Sequence, residues 1–422
     1  MLMRAKQEAK EAVTGGVPTA GLSQKEIDRL TASDASITSL VDYIIEQAYL
    51  AHASDIHIDP QEQNVDVRLR IDGVLYSVFV LPKTLLAQVI TRIKVHCGLR
   101  TDEHQAAQDG RFRLAVADTQ IDLRVSIMPT YHGENAVLRL LVSDLKSRSL
   151  KDMGFSERDL RVVEAYAKRT RGMTLATGPT GSGKTTTLYT VLQTLNTPAV
   201  SITTIEDPIE YSMPNVTQIQ VNPATNLTFA KGLRAIVRQD PNIIMVGEIR
   251  DAETAGIAVN AALTGHVVLS TLHTNDAATT LPRLLDMGVE PFLVASTVNI
   301  AIGQRLVRRL CGMCKVEYTL TDAERDRLSG VVSAPIFAKK RRFWNGKGCQ
   351  ECKDSGYKGR LGIYEVLEVR GEIRDLIVQK ASAESIRQVA MRMGMTTMLE
   401  DGFVKAGEGL TSIAEVLRVV QD

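Results

Sequence analysis

Residues 173–186 read Met-Thr-Leu-Ala-Thr-Gly-Pro-Thr-Gly-Ser-Gly-Lys-Thr-Thr, a short apolar run followed by a glycine-rich G-x4-G-K-T loop. Gly178, Gly181 and Gly183 let the backbone curl so that successive N–H groups face one way, with Pro179, Thr180 and Ser182 completing the turn. The helix predicted to start at Lys184 adds the positive end of its dipole. Lys184 is placed to reach the β- and γ-phosphates of a nucleotide; Thr185 offers a hydroxyl to Mg2+, and Thr186 follows it into the helix. A flexible glycine turn is the bland alternative. The coincidence of strand, loop and helix favours a nucleoside triphosphate site.

Outward from the loop, apolar runs of strand length recur at Met173–Thr177, Val200–Ile205, Ile243–Val246 and Val267–Thr271. Helical stretches at Lys184–Leu195, Phe229–Gln239 and Ala252–Leu263 separate them. This alternation predicts an α/β fold with a largely parallel sheet. Ligands gather at the carboxyl ends of such strands, so Glu206, Glu210, Glu248 and His273, each at or just beyond a strand end, are expected to converge on Lys184. Hydrolysis needs both a group that activates water and a carboxylate that supports the metal shell.

The N-terminal third has another character. Apolar residues at helical spacing run from Ile37 to Ala51, and again from about Leu85 to Cys97. Between and after them lie segments of period-two alternation, Val65–Ile71, Val74–Val80, Phe112–Val116 and Ile121–Val125, with Asp72-Gly73 as a turn signal. The pattern predicts a small α+β domain with an antiparallel sheet. The organisation is therefore a tail or linker over 1–33, an N-terminal domain over 34–145 and a P-loop domain over 146–422. Within the last, 305–365 holds four cysteines and 366–422 is mostly helical. A polar linker spans 143–149.

Composition excludes several classes. In 422 residues, 50 Lys and Arg against 49 Asp and Glu leave a charge of +1, which argues against a polycation coating nucleic acid or anionic lipid. No run of 18 apolar residues and no leading apolar segment appear, so neither a membrane span nor a secretory signal is expected. The picture is a soluble, cytosolic, multidomain chain. Cys311, Cys314, Cys349 and Cys352 form two C-x2-C pairs, a pattern suited to tetrahedral Zn2+ rather than to disulfides in a chain of this size. A redox or incidental role is the alternative. Cys97 reads as a small buried hydrophobe.

These motifs together resemble the hexameric ATPases of the type II/IV secretion superfamily, which serve type IV pilus assembly and type II secretion. The matching stretches are Ser54-Asp55-Ile56-His57, the glycine-rich loop, TIEDPIEY (204–211), DPNIIMVGEIRDAETA (240–255) and TGHVVLSTLHTNDA (264–277). The match continues through CGMC, CQEC, GYKGRLGIYE (356–365) and EVLRVV (415–420), covering about residues 35 to 422. The resemblance implies a small PAS-like N-terminal domain followed by a RecA-like ATPase domain with a tetracysteine metal subdomain and helical C-terminus. It implies ATP and Mg2+ at Lys184 and Thr185, Glu210 as the water-activating base, and Glu248 supporting Mg2+ and the γ-phosphate. His266 and His273 would sense nucleotide state, and the cysteines would hold structural Zn2+.

Arg111 and Arg124 sit where that family places phosphate-facing arginines, and domain closure is expected to bring them onto the γ-phosphate. Exposed arginines on a solvent face are the alternative. Lys339-Lys340-Arg341-Arg342, beside Phe343 and Trp344, reads as a solvated or partner-facing loop. His57 reads as ordering its local backbone. The expectation is a homo-hexameric, cytoplasmic ATPase, peripheral at the inner-membrane face, acting on an integral platform protein without inserting into the membrane or binding nucleic acid. Pilus assembly comes first because few residues precede the shared region, which also leaves docking through an extra N-terminal domain open. Type II secretion is the runner-up. A RecA-like nucleic-acid translocase and a regulatory ATP-binding module are more distant rivals.

Overall fold

The structure, a computed structural model, describes residues 24–32, 37–116, 119–141, 149–329 and 342–420. Of the tail assigned to 1–33, only the helix Gln24–Ala32 falls within them. Residues 142–148 of the linker and Lys339, Lys340 and Arg341 lie outside the described residues. The described residues divide into two compact units, one within 1–145, 310–316 and 346–359, the other within 146–309, 317–345 and 360–422. The cysteine-bearing segments thus group with the first unit, whereas the sequence reading set 305–365 inside the second.

In the first unit, six strands form an antiparallel sheet: β1 (Ala53–Pro60), β2 (Asn64–Ile71), β3 (Val74–Pro82), β4 (Gln108–Val116), β5 (Thr119–Thr130) and β6 (Gly133–Leu141). Their order is β3-β2-β1-β6-β5-β4. Alternation dictates which face is inner. Val65, Val67, Leu69 and Ile71 of β2 are buried with Ile121, Leu123, Val125 and Ile127 of β5, while the intervening polar residues face away. The helices Ile37–Leu50 and Leu86–Cys97 cover that inner face with Leu40, Ile44, Ile45, Val89, Ile90 and Ile93. Each such side chain contributes about 1.5–3 kcal/mol on burial. Asp72 and Gly73 both take positive φ, 49° and 86°, so the β2–β3 hairpin closes through the tight turn its sequence signals. Half-buried Cys97 packs against this core, and burial lifts its thiol to about 11.

Two strands of this sheet, β1 and β6, lie outside the predicted set of alternating segments, and they are its two central ones. His57 sits on β1, opposite Arg68 on one side and Val137 on the other.

The second unit is built on β7 (Gly172–Thr177), β8 (Ile202–Glu206), β9 (Val216–Gln220), β10 (Ile243–Val246), β11 (Val267–Leu272) and β12 (Val298–Leu310). After the short β13 (Lys315–Thr319) and β14 (Arg342–Gly346), which pair as a ribbon, β15 (Tyr357–Glu368) joins the larger sheet. Its order is β15-β12-β7-β11-β10-β8-β9, and β12 through β9 are mutually parallel. β7, β10 and β11 are buried along their whole length, as a sheet covered on both faces requires. The helices Lys184–Leu195, Phe229–Ile236 and Ala252–Leu263 alternate with these strands, and four short helices fill 372–420. Phe343 of the basic-aromatic stretch is fully buried, and Arg342 pairs with Glu317 at 3.2 Å, so neither aromatic-cation grip nor a free patch is built there by the described residues. No helix among the described residues is long and apolar enough to cross a membrane.

Candidate nucleotide site and cysteine cluster

The glycine-rich loop leaves the carboxyl end of β7 and enters the helix Lys184–Leu195. Gly178, Gly181 and Gly183 all take positive φ (146°, 78° and 88°). At Gly178 a Cβ would stand 2.5 Å from the Gln304 carbonyl oxygen, so only glycine fits there. Helices beginning at Glu157, Ala252 and Ala277 are capped by the side chains of Ser156, Asp251 and Asp276. The helix beginning at Lys184 has Gly183 as its N-cap and no capping side chain. Its first N–H groups are thus left for another acceptor, the condition a phosphate fulfils. Buried Ser182 Oγ likewise lacks a protein partner.

Lys184 Nζ donates to the carbonyls of Gly178 at 2.8 Å and Pro179 at 3.1 Å, folding over its own loop. Burial pulls its ammonium down to about 8, against the raising influence of Glu248 and with a further lowering by Arg305. An anion placed beside a lysine so desolvated favours its charged form. Glu248, just past β10, accepts from Arg250 at 2.5 Å and lies 3.1 Å from His273 Nε2, just past β11. Thr177 at the end of β7 donates to the Thr274 carbonyl at 2.9 Å and accepts from the Thr274 N–H at 3.1 Å, joining the glycine loop to the segment bearing His273. Lys184, Glu248 and His273 therefore meet at the carboxyl edge as expected.

Glu206, expected to converge with them, does not join them, nor does His266, which the resemblance assigned to sensing nucleotide state. Glu206 is buried at 2% exposure and turned into the unit, accepting from Thr204 Oγ1 at 2.6 Å, Gln218 Nε2 at 3.2 Å and the Tyr189 hydroxyl. Its side chain is taken up by the interior, because position at the last residue of a buried strand sends it into the helix layer. His266 precedes β11 rather than following it. Its Nδ1 lies 3.0 Å from the Ala261 carbonyl, and its own carbonyl accepts from Gly172 at the start of β7, which is the amino end of the sheet. Glu210 is exposed on the loop after β8.

Sequence reasoning passed over Gln304. From β12 its amide donates to the Ser182 carbonyl at 2.7 Å and accepts from Thr187 Oγ1 at 2.8 Å, clamping the glycine loop from the side. An uncharged polar residue inside a thirteen-residue, mostly apolar strand was the available signal.

Arg111 and Arg124 face each other across β4 and β5, and Arg124 also stands opposite Arg139 of β6. The row continues through Asp55 to Arg70, so five charged residues cross the sheet in one register line. Asp55 is the anion within it, bonded by Arg139 Nε at 2.9 Å and paired with Arg70 Nε at 3.5 Å. Burial alone would raise its carboxyl, but the Arg139 and Ser54 hydrogen bonds and the two arginine charges hold it below the usual carboxylate range.

Four sulfurs, from Cys311, Cys314, Cys349 and Cys352, lie within 4.8 Å of one another. Sγ separations of 3.8 Å (311 to 349), 3.7 Å (314 to 352) and 3.7 Å (349 to 352) are far too long for disulfides. They are the edge lengths, about 3.8 Å, of a tetrahedron with metal–sulfur bonds near 2.3 Å. The Cys349 and Gly356 N–H groups each donate to Cys352 Sγ at 3.2 Å, the support a thiolate needs. The cluster fits a metal ion. Gly346 and Gly356 permit the close approach of the two arms, since a Cβ on Gly346 would fall 2.2 Å from the Gly356 carbonyl oxygen. Asp72 accepts from the Gly359 N–H at 2.9 Å, tying the β2–β3 turn to the end of the cysteine segment.

Residues 31–418 match the family described as Type II/IV secretion system protein. The chain is 46% identical over 413 residues to the type IV pilus assembly ATPase PilB of Thermus thermophilus, covering 98% of this chain and 45% of that protein. It is 45% identical to the type IV pilus assembly ATPase TfpB of Acinetobacter baylyi (92% of this chain, 66% of that one). It is 46% identical to the type II secretion system protein E of Pseudomonas aeruginosa (92% and 76%). Among solved structures, the pilus retraction motor PilT with bound ADP superposes with a TM-score of 0.60 at 27% identity, over 89% of this chain and 96% of that one. The ATPase DotB of Legionella pneumophila shares the fold, with a TM-score of 0.65 at 23% identity over 90% and 94%. The chain spans 45% and 66% of the length of the two pilus relatives.

Proposed function

Since the chain belongs to the type II/IV secretion system protein family, we propose that it is an ATPase motor whose hydrolysis of ATP drives type IV pilus assembly. The observation that carries the reading is the convergence of Lys184, Glu248 and His273 beside a glycine loop that leads into an uncapped helix. In the proposed reaction the loop N–H groups and Lys184 grip the triphosphate, and Lys184 holds its proton more firmly as phosphate replaces the loop carbonyls. Glu210 orients water in line with the γ-phosphate and takes its proton; Glu248 and His273 stand by the same phosphate. Arg111 and Arg124 answer the charge that builds there. Mg2+ would be held by Thr185 with support from Glu248, supplying charge neutralisation to the phosphates. Zn2+ is the ion proposed for the four thiolates, as a closed structural site with no open ligand position.

The wider reading places a homo-hexamer in the cytoplasm, peripheral to the inner membrane, working on an integral platform protein, with a PAS-like fold for the first unit and a RecA-like one for the second. Type II secretion is the second reading, favoured by the equal identity to a secretion relative. Phosphate release by the wild type and by Glu210→Gln tests the enzyme: we expect turnover in the first and a loss of about 10^2-fold or more in the second. Equal, negligible rates in both point instead to a regulatory ATP-binding module. Restoration of pili, rather than of exported protein, in strains lacking the corresponding ATPase tests the choice of machine.

A further inference from the structure

The loop that carries Glu210 is held from behind by side chains remote from the phosphate site. Tyr189 lies on the helix that Lys184 begins and is fully buried. Its hydroxyl donates to buried Glu206, and the Glu210 backbone lies close enough to influence its ionisation. Gln218, on the neighbouring edge strand β9, donates to Glu206 at 3.2 Å and to the Tyr211 carbonyl at 3.1 Å, and accepts the Met213 N–H at 2.7 Å. The Tyr211 ring stands edge-on to Tyr189, centroids 4.4 Å apart at 75°. On the loop, the carbonyl of Tyr211 and the amide of Met213 are thus met by Gln218, and the Glu210 backbone lies beside Tyr189. Both side chains bond the one buried carboxylate.

We infer that Tyr189 and Gln218, joined through Glu206, are positioning residues that set the Glu210 carboxylate relative to the phosphate loop. The chemistry argues for this over simple filling of the core. Glu206 is buried among uncharged donors, Thr204, Tyr189 and Gln218, where apolar residues of similar volume would cost no desolvation. What the network adds is direction: each hydrogen bond fixes an orientation that packing alone leaves loose. Tyr189 also shares a rigid helix with Lys184, so the residue gripping the phosphate and the anchor of the water-activating loop are fixed by one element. This inference rests on the proposed role of Glu210.

Tyr189→Phe removes one hydroxyl and keeps the ring. We expect kcat to fall on the order of 10- to 100-fold, the scale set by small misplacements of a reacting group. The KM for ATP and the affinity for a non-hydrolysable analogue should change less than about twofold, since the Lys184 loop is untouched. Tyr189→Phe placed on Glu210→Gln should lower turnover no further than Glu210→Gln alone. Gln218→Leu, on a half-buried edge position, should show the same kcat-selective loss and decides the matter if Tyr189→Phe fails to fold. Unchanged kcat in a folded variant, or equal losses of kcat and nucleotide affinity, overturns the positioning role while Glu210→Gln is inactive. Wild-type turnover in Glu210→Gln removes the base assignment itself, and the inference with it.

Discussion

In the antiparallel sheet of the first unit one face is covered by two helices and the other carries its charges in a row, from Arg70 through Asp55 and Arg139 to Arg124 and Arg111. In the second unit the parallel strands β7, β10 and β11 are buried throughout, and the chemically capable residues are crowded to the carboxyl edge. The difference follows from how each sheet is connected. Hairpins leave a face free, so alternate residues of adjacent strands present functional groups in register. Crossover helices take both faces, so a group such as Glu206, the last residue of its strand, is drawn inside, whereas Glu248, two residues past its strand, stays available.

The contrast can be broken most forcefully at the edge. Lys184→Ala should reduce phosphate release on the order of 10^3-fold and weaken ATP binding, because in the proposed reaction no other cation replaces it at the phosphates. Retained turnover would mean that the edge is not where the phosphate is gripped. On the face of the other sheet, Arg124→Ala should cost on the order of 10^2-fold in turnover while sparing nucleotide affinity, less than a sole arginine finger because Arg111 stands beside it. A titration of bound nucleotide alongside the rate separates the two effects; a variant with normal turnover takes Arg124 out of the reaction.

The smallest effect concerns stability. Asp55 has its folded carboxyl held below the unfolded value, so its ionised form stabilises the fold above the unfolded value and that contribution disappears as pH falls through the folded one. Asp55→Asn should therefore melt below the wild type at about pH 7, with the gap narrowing toward about pH 3. Melting curves recorded across that interval check it. A gap of constant size means that the charge of Asp55 is irrelevant and only its shape matters to the row.

Much of this was readable beforehand, and the reasons are local. The helices Lys184–Leu195 and Ala252–Leu263 and the strand Ile243–Val246 carry their boundaries in their own periodicity and flanking turn residues. The β2–β3 turn is written in Asp72-Gly73, and the phosphate loop in its glycines. By contrast β12, with Gln304, Arg305 and Arg308 buried in its second half, is not among the strands expected from apolar runs. Gln304 finds partners in the Ser182 carbonyl and Thr187 Oγ1, and Arg308 in Glu415, residues more than a hundred positions away.

Amino-acid order alone thus determined the two sheet types, the glycine-rich loop and the set of four thiols, because each depends on neighbours within a few turns of chain. Tertiary structure decided which carboxylates remain at the edge and which are consumed, that Gln304 clamps the loop, that Tyr189 and Gln218 hold the Glu210 segment, and that four arginines share a row with Asp55. Those pairings depend on strand order and register across long separations. A side chain's partner is set there by where the sheet brings distant backbone together, a quantity with no trace in local spacing.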